Sequence, residues 1–170
     1  MKKNKKNLIG KEDIRLRGFF KLKIGYPDEN GVVKIVTGET PWIENQITNL
    51  GKDQYLAQLL GAMAGSKQVT YAALGTGTAP GSADTTLNGE LGDASNCRCA
   101  VSPTTTNASG TVQFAFTLNS NIVTASRAIS NVGLFNTSTT QVGTLFAGNT
   151  YTSSALNTNQ AVNGSYQIRF

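Results

Sequence analysis

Residues 112–118 read VQFAFTL. Val112, Phe114, Phe116 and Leu118 fall on one face and Gln113, Ala115 and Thr117 on the other. That period of two is the mark of a strand with one buried face. Similar but shorter signals lie on both sides: an apolar run at 69–74, strand character at 97–102, 129–135 and 142–147, and the alternation of Tyr166, Ile168 and Phe170 at the end. Short strands spaced by turn-rich segments predict an antiparallel β-sandwich body of jelly-roll-like form. Gly133 inside the strand at 129–135 marks a bulge or close packing. One helix is expected over 47–65: Leu56, Leu59, Leu60 and Met63 make a single apolar stripe, Thr48 or Asn49 caps it, and Gly65 ends it.

The segment before that helix has a different composition. Residues 1–23 hold nine Lys or Arg against Glu12 and Asp13, a net +7. The remaining residues hold six basic and eight acidic groups, a net −2, so the overall +5 belongs to the N-terminal stretch. Residues 1–17 are polar, with little to bury, and read either as an arm that orders on a partner or as a solvated tail. Residues 19–24, FFKLKI, set Phe20, Leu22 and Ile24 opposite Lys21 and Lys23; the turn at 26–31 (YPDENG) and a return strand at 32–37 complete a hairpin. A lone hairpin is marginal in water, so it is expected to dock. The domain reading is therefore an extended basic arm with a hairpin at 1–44 and a sandwich body at 45–170. Trp42, the single Trp, caps its own core or anchors in a partner's pocket. Partner contacts are expected at Lys2, Lys3, Lys5, Lys6, Lys11, Arg15, Arg17, Phe19, Lys21, Lys23 and Trp42. Nucleic acid is not the expected partner, because no aromatic residue interleaves the lysines at 2–6.

Composition narrows the chemistry. The chain has no His, which removes metal-imidazole sites and Ser-His or Cys-His nucleophiles. The carboxylates Asp53, Asp84, Glu90 and Asp93 show no motif spacing, and Asp84 and Glu90 flank a turn where bonds to the backbone account for them. Cys97 and Cys99, two apart, would strain a disulfide and are expected as buried or half-buried thiols. The GTGTAPG turn at 75–81 is not a P-loop, since Pro80 or Ser82 falls where the second Gly belongs and no Lys follows. No enzyme activity, cofactor or metal is expected. No stretch is long and apolar enough for a membrane helix, and no apolar run follows the early lysines as a signal peptide would require. From residue 100 onward the only charges are Arg127 and Arg169. A surface so sparsely charged tends to associate, which points to coverage by partners.

The stretch at 71–91, YAALGTGTAPGSADTTLNGEL, resembles a segment of tailed-bacteriophage virion structural proteins: an aromatic, a short apolar strand, G-T-G-T, Ala-Pro, Asp-Thr and a Leu-x-x-Glu-Leu ending. Residues 130–148, SNVGLFNTSTTQVGTLFAG, are similar to the later part of that pattern, and 45–60 to the helix before it. Ser130-Asn131-Val132 stands where the family often has "G-E" or "E-x-G-L-F". The resemblance implies a capsid decoration or cement protein, made in the host cytoplasm and located in the virion. Its partners would be the major capsid protein and copies of itself, as dimer or trimer. The alternatives are a tail, neck or fibre component meeting the host surface, or, from another class, a carbohydrate- or ligand-binding β-sandwich module.

Overall fold

The structure is a computed structural model of the 170-residue chain. It describes residues 16–57, 64, 67–92, 97–106, 111–120 and 122–169. Nine strands run in the order β1 (Arg17–Pro27), β2 (Val33–Glu39), β3 (Ile43–Ile47), β4 (Tyr71–Gly75), β5 (Cys99–Thr106), β6 (Thr111–Leu118), β7 (Arg127–Phe135), β8 (Leu145–Leu156) and β9 (Ala161–Arg169). All pairings are antiparallel, in the order β2-β1-β3-β8-β7-β4-β5-β6-β9, and β1 also pairs with β9. That last pairing closes eight strands into a barrel and leaves β2 outside it.

The expected jelly-roll-like sandwich is thus corrected to a closed barrel. Inward–outward alternation is identical in the two architectures, and only the pairing of first and last strands separates them. Eight strands enclose an interior that side chains alone can fill. Phe20, Leu22 and Ile24 of β1 fill it together with Phe114, Phe116 and Leu118 of β6 and Val162, Tyr166 and Ile168 of β9. The Phe20 ring lies 5.7 Å from Tyr151 and 6.2 Å from Tyr166. The clearest sequence signal, 112–118, is the stave β6, with its apolar face inward.

The expected arm is corrected where it is described. β1 pairs with β9 over nine residues, from Arg17↔Arg169 to Gly25↔Ala161. Its other side pairs with β3 at 18–20 and with β2 at 23–27. The boundary expected at residue 44 falls inside β3, which joins the barrel at Gln46↔Gly148 and Ile47↔Ala147. No boundary therefore falls at residue 44. The turn between β1 and β2 forms as read: Asp28 Oδ1 accepts the N–H groups of Asn30 and Val32, and Gly31 takes φ +77°.

The expected helix is also corrected. Among the described residues the helical stretch is short: Asn49 and Leu50 are α-helical and Gly51–Ala57 forms a π-helical segment. Leu59, Leu60, Met63 and Gly65 lie outside the described residues. Thr48 does cap the segment, its Oγ1 accepting the Gly51 N–H at 2.9 Å. A Cβ on Gly51 would lie 2.2 Å from the Phe146 carbonyl oxygen, so glycine lets this segment press onto β8. Tyr55 supplies the contact, its ring 5.0 Å from Phe146 and its hydroxyl donating to the Thr144 carbonyl.

Burial raises the phenol pKa of Tyr55, Tyr151 and Tyr166 above the usual 10. Tyrosines in the unfolded chain ionise near pH 10 while these three keep their protons. The native state then binds more protons than the unfolded one, so stability that is complete below pH 10 falls as pH rises beyond it. Absorbance at 295 nm should show these three of the five tyrosines titrating only as circular dichroism reports unfolding. Five phenols ionising with the fold intact would contradict this packing.

Candidate functional site

Two places in the fold draw on the residues singled out in the sequence. The first is the pair of loops that follow β4 and β7. Along β4 the residues Ala72 and Leu74 point into the barrel, and Ala73 points out, facing Gly133 in register. Ala73, Leu87, Phe135 and Leu145 make a small second core outside the barrel wall. A Cβ on Gly133 would sit 2.8 Å from Leu145 Cδ1, so this glycine serves close packing, and the β7–β8 register shifts at 129/131 and at 134/135, on either side of it.

Glycines of the GTGTAPG turn are explained the same way. A Cβ on Gly75 would be 2.4 Å from Asn131 Oδ1, and one on Gly77 would be 2.3 Å from the Asn88 carbonyl oxygen. Asn131 is buried, and its Nδ2 donates to the carbonyls of Thr78 and Asn88. Ser130 Oγ donates to the Gly77 carbonyl. The turn is stitched to β7 and to the loop at 88–89. These contacts account for its glycines without a bound phosphate.

Arg98 and Glu90 lock this layer. Both side chains are fully buried. Arg98 Nε donates to Glu90 Oε1 at 2.5 Å and Nη2 to Oε2 at 3.0 Å, a fork-on-fork pair. Its Nη1 donates to the carbonyls of Thr137 and Val142 at 3.0 and 2.7 Å, and the guanidinium lies 3.6 Å from the Phe135 ring centroid. Glu90 Oε2 also accepts the backbone N–H of Gln141, a residue held at φ 60°. The sequence placed Glu90 at a turn bonded to backbone, which it is; its partnership with Arg98, eight residues on, had no local signal. Cys97 and Cys99 are both buried, in the main core. Burial pushes the Cys99 thiol up to about 12, which leaves it protonated at neutral pH.

The second place is the ribbon formed by β1, β2 and β3. Lys2, Lys3, Lys5, Lys6, Lys11 and Arg15 lie outside the described residues. The other expected partner residues are brought to one side of the barrel, where acids of the same ribbon meet the cations. Arg17 pairs with Glu44 at 3.3 Å; Lys21 and Lys23 share Glu39 at 2.5 and 3.8 Å. The hydrogen bond from Lys21 holds the Glu39 carboxyl below the usual range. Asp28 is lowered first by the Val32 N–H. Phe19 is half-buried beneath the Arg169 guanidinium, 4.8 Å away. Glu39 was legible as a partner only through the hairpin register, which sets it opposite Lys23.

Lys21 and Lys23 also rim a groove of about 800 Å³ on the outer wall, floored by small side chains such as Ser102, Ala115, Thr117 and Ser165. Beside it, β2 and the residue before it expose apolar side chains: Val32 at 51%, Ile35 at 66% and Val36 at 44%. Tyr26 and Trp42 are exposed on the same ribbon, so Trp42 does not cap the core. Among the described residues, no three His, Cys, Asp or Glu gather as metal ligands, and no helix is long and apolar enough to cross a membrane.

The fold and this ribbon define a closed eight-stranded antiparallel barrel with one outlying strand. The chain matches no protein-family model, no curated protein and no solved structure.

Proposed function

We propose that this protein is a structural component of a phage particle, a decoration or cement protein whose barrel sits on the capsid shell and whose N-terminal segment ties it to neighbouring capsid subunits. One observation carries the reading: the strand that continues that segment, β1, is a barrel stave held on both sides. Antiparallel ladder bonds run perpendicular to their strands. Tension on residues 1–15 is therefore carried in shear along the β1–β9 ladder, not by peeling a loose hairpin.

Charge supports the same division. The three cations of β1 are paired with Glu39 and Glu44, which leaves a net +1 there. Residues 1–15 hold six basic and two acidic groups, a net +4. A basic segment joined to a sparsely charged barrel suits an acidic shell surface, where charge complementarity sets association rate and register. The likeness of 71–91 and 130–148 to phage virion proteins supports the particle assignment. The groove beside Lys21 and Lys23 favours a second reading, a module that meets a ligand or host surface, which does not need residues 1–15.

The test is co-sedimentation with empty shells assembled from the major capsid protein encoded alongside this chain. The full chain is expected to pellet with the shells and raise their disruption temperature. A chain lacking residues 2–15 is expected to keep its melting temperature and lose at least about tenfold in affinity as its charge contacts go. Equal binding without the segment, or no binding by either chain, would overturn the proposal.

A further inference from the structure

The outlying strand β2 belongs to neither the barrel wall nor the shell contact argued above. Among the described residues it pairs with β1 alone, so its other edge presents backbone N–H and C=O groups without a strand partner. The β1–β2 register shifts twice, which makes Lys34 and Thr37 additional residues of β2. Ile35 and Val36 lie between them as the straight centre, and both are exposed.

Charge chooses the occupant. The turn end of the ribbon carries Asp28, Glu29 and Lys34, a net −1. The opposite end carries Lys21, Lys23 and Glu39, a net +1. A strongly acidic or basic partner would gain at one end and lose at the other. A second copy laid antiparallel gains at both, because each negative end meets the other's positive end. Its centre then brings Ile35, the most exposed of these side chains, against its own counterpart. A two-fold pairing of this kind is self-complementary and closed.

We infer that β2 is the contact between two copies of this chain, joined antiparallel about Ile35. The two register shifts bend β2 and keep the shared ladder short. The dimer is therefore reversible and salt-sensitive, with the small interface of a transient complex. The inference stands independently of the shell reading, since it is tested without shells.

Sedimentation velocity of the full chain over a concentration series should show a monomer–dimer equilibrium that weakens as salt is added. Ile35→Lys places like charges across the dyad at an exposed position. It should raise the dimer dissociation constant at least about tenfold while the melting temperature holds. Ile35→Cys, opposite its own counterpart, should form a disulfide-linked dimer under mild oxidation. Val142→Cys, also exposed but on the loop before β8, should not.

A monomer at every concentration overturns the inference, as does a dimer indifferent to Ile35→Lys or cross-linking as readily through Val142→Cys. If the full chain is a monomer and a chain lacking residues 2–15 dimerises, the edge belongs to the chain's own N-terminal segment. If β2 amides gain exchange protection only on shells, it belongs to the shell. Either result also overturns the inference.

Discussion

Glu90→Gln should destabilise the protein by about 3–5 kcal/mol, the cost of breaking a buried pair and leaving one charge without its partner. The Arg98 guanidinium has no route to water: its side chain is fully buried, stacked on Phe135 and bonded to two loop carbonyls. Glutamine keeps the volume and one acceptor but removes the charge. For a chain of this size the loss corresponds to a fall in Tm of roughly 10 °C or more. Arg98→Met alone should cost a similar amount, since it strands the carboxylate and the carbonyls of Thr137 and Val142. The double variant Glu90→Leu with Arg98→Met should recover much of the loss, because an apolar pair of similar volume needs no desolvation. Thermal and urea unfolding of the three variants checks the cycle. A loss below about 1 kcal/mol for Glu90→Gln would mean that water reaches the pair.

Phe20→Ala should cost about 3–5 kcal/mol, the range for emptying a large aromatic site in a packed core. Phe20 is fully buried, beside Tyr151 and Tyr166, at the middle of the β1–β9 ladder. Lys21→Ala, one residue on and facing outward, should cost under about 1 kcal/mol, because its exposed pair with Glu39 is screened by solvent. Urea unfolding separates the two. Were residues 1–44 an arm with its own hairpin, Phe20→Ala would leave the barrel's melting unchanged.

Much of the strand pattern was legible because alternation is a local signal. Residues 112–118, 129–135 and the end of the chain read as strands and are β6, β7 and β9. The hairpin turn was legible from Pro27, Asp28, Asn30 and Gly31, whose backbone preferences fix a turn without help from the rest of the chain. Closure was not legible. It depends on Arg17 meeting Arg169 and on eight further pairs, a contact between the two ends of the chain that no local period encodes. A strand opposite β1 in a sandwich would demand the same Phe20, Leu22 and Ile24.

The arm reading failed for a related reason. Lys21 and Lys23 made β1 look like a basic surface hairpin, but an outward lysine is as natural on a barrel wall, particularly with Glu39 across from it. Residues 43–47 straddle the expected boundary at 44, and Glu44, Asn45 and Gln46 break any apolar run there. They form β3 because both backbone edges find partners, β1 on one side and β8 on the other. The site was legible in part. Trp42 and the lysines of β1, singled out from the sequence, lie on one ribbon, whereas the ion pairs that occupy those lysines and the exposed apolar centre of β2 emerge only from the register.

The proposed shell contact and the β2 contact both depend on β1 being a stave that closes the barrel. Native-state amide hydrogen exchange measures this most directly. If β1 is a stave, the N–H groups of Phe19, Lys21 and Lys23, which face β9 because Leu22 turns its own N–H and C=O to Thr40 on the other side, should exchange only through global unfolding, at the same free energy as those of β6 and β9. Exchange of these three amides at a markedly lower free energy than β6, as an arm opening on its own would show, would contradict the closed barrel.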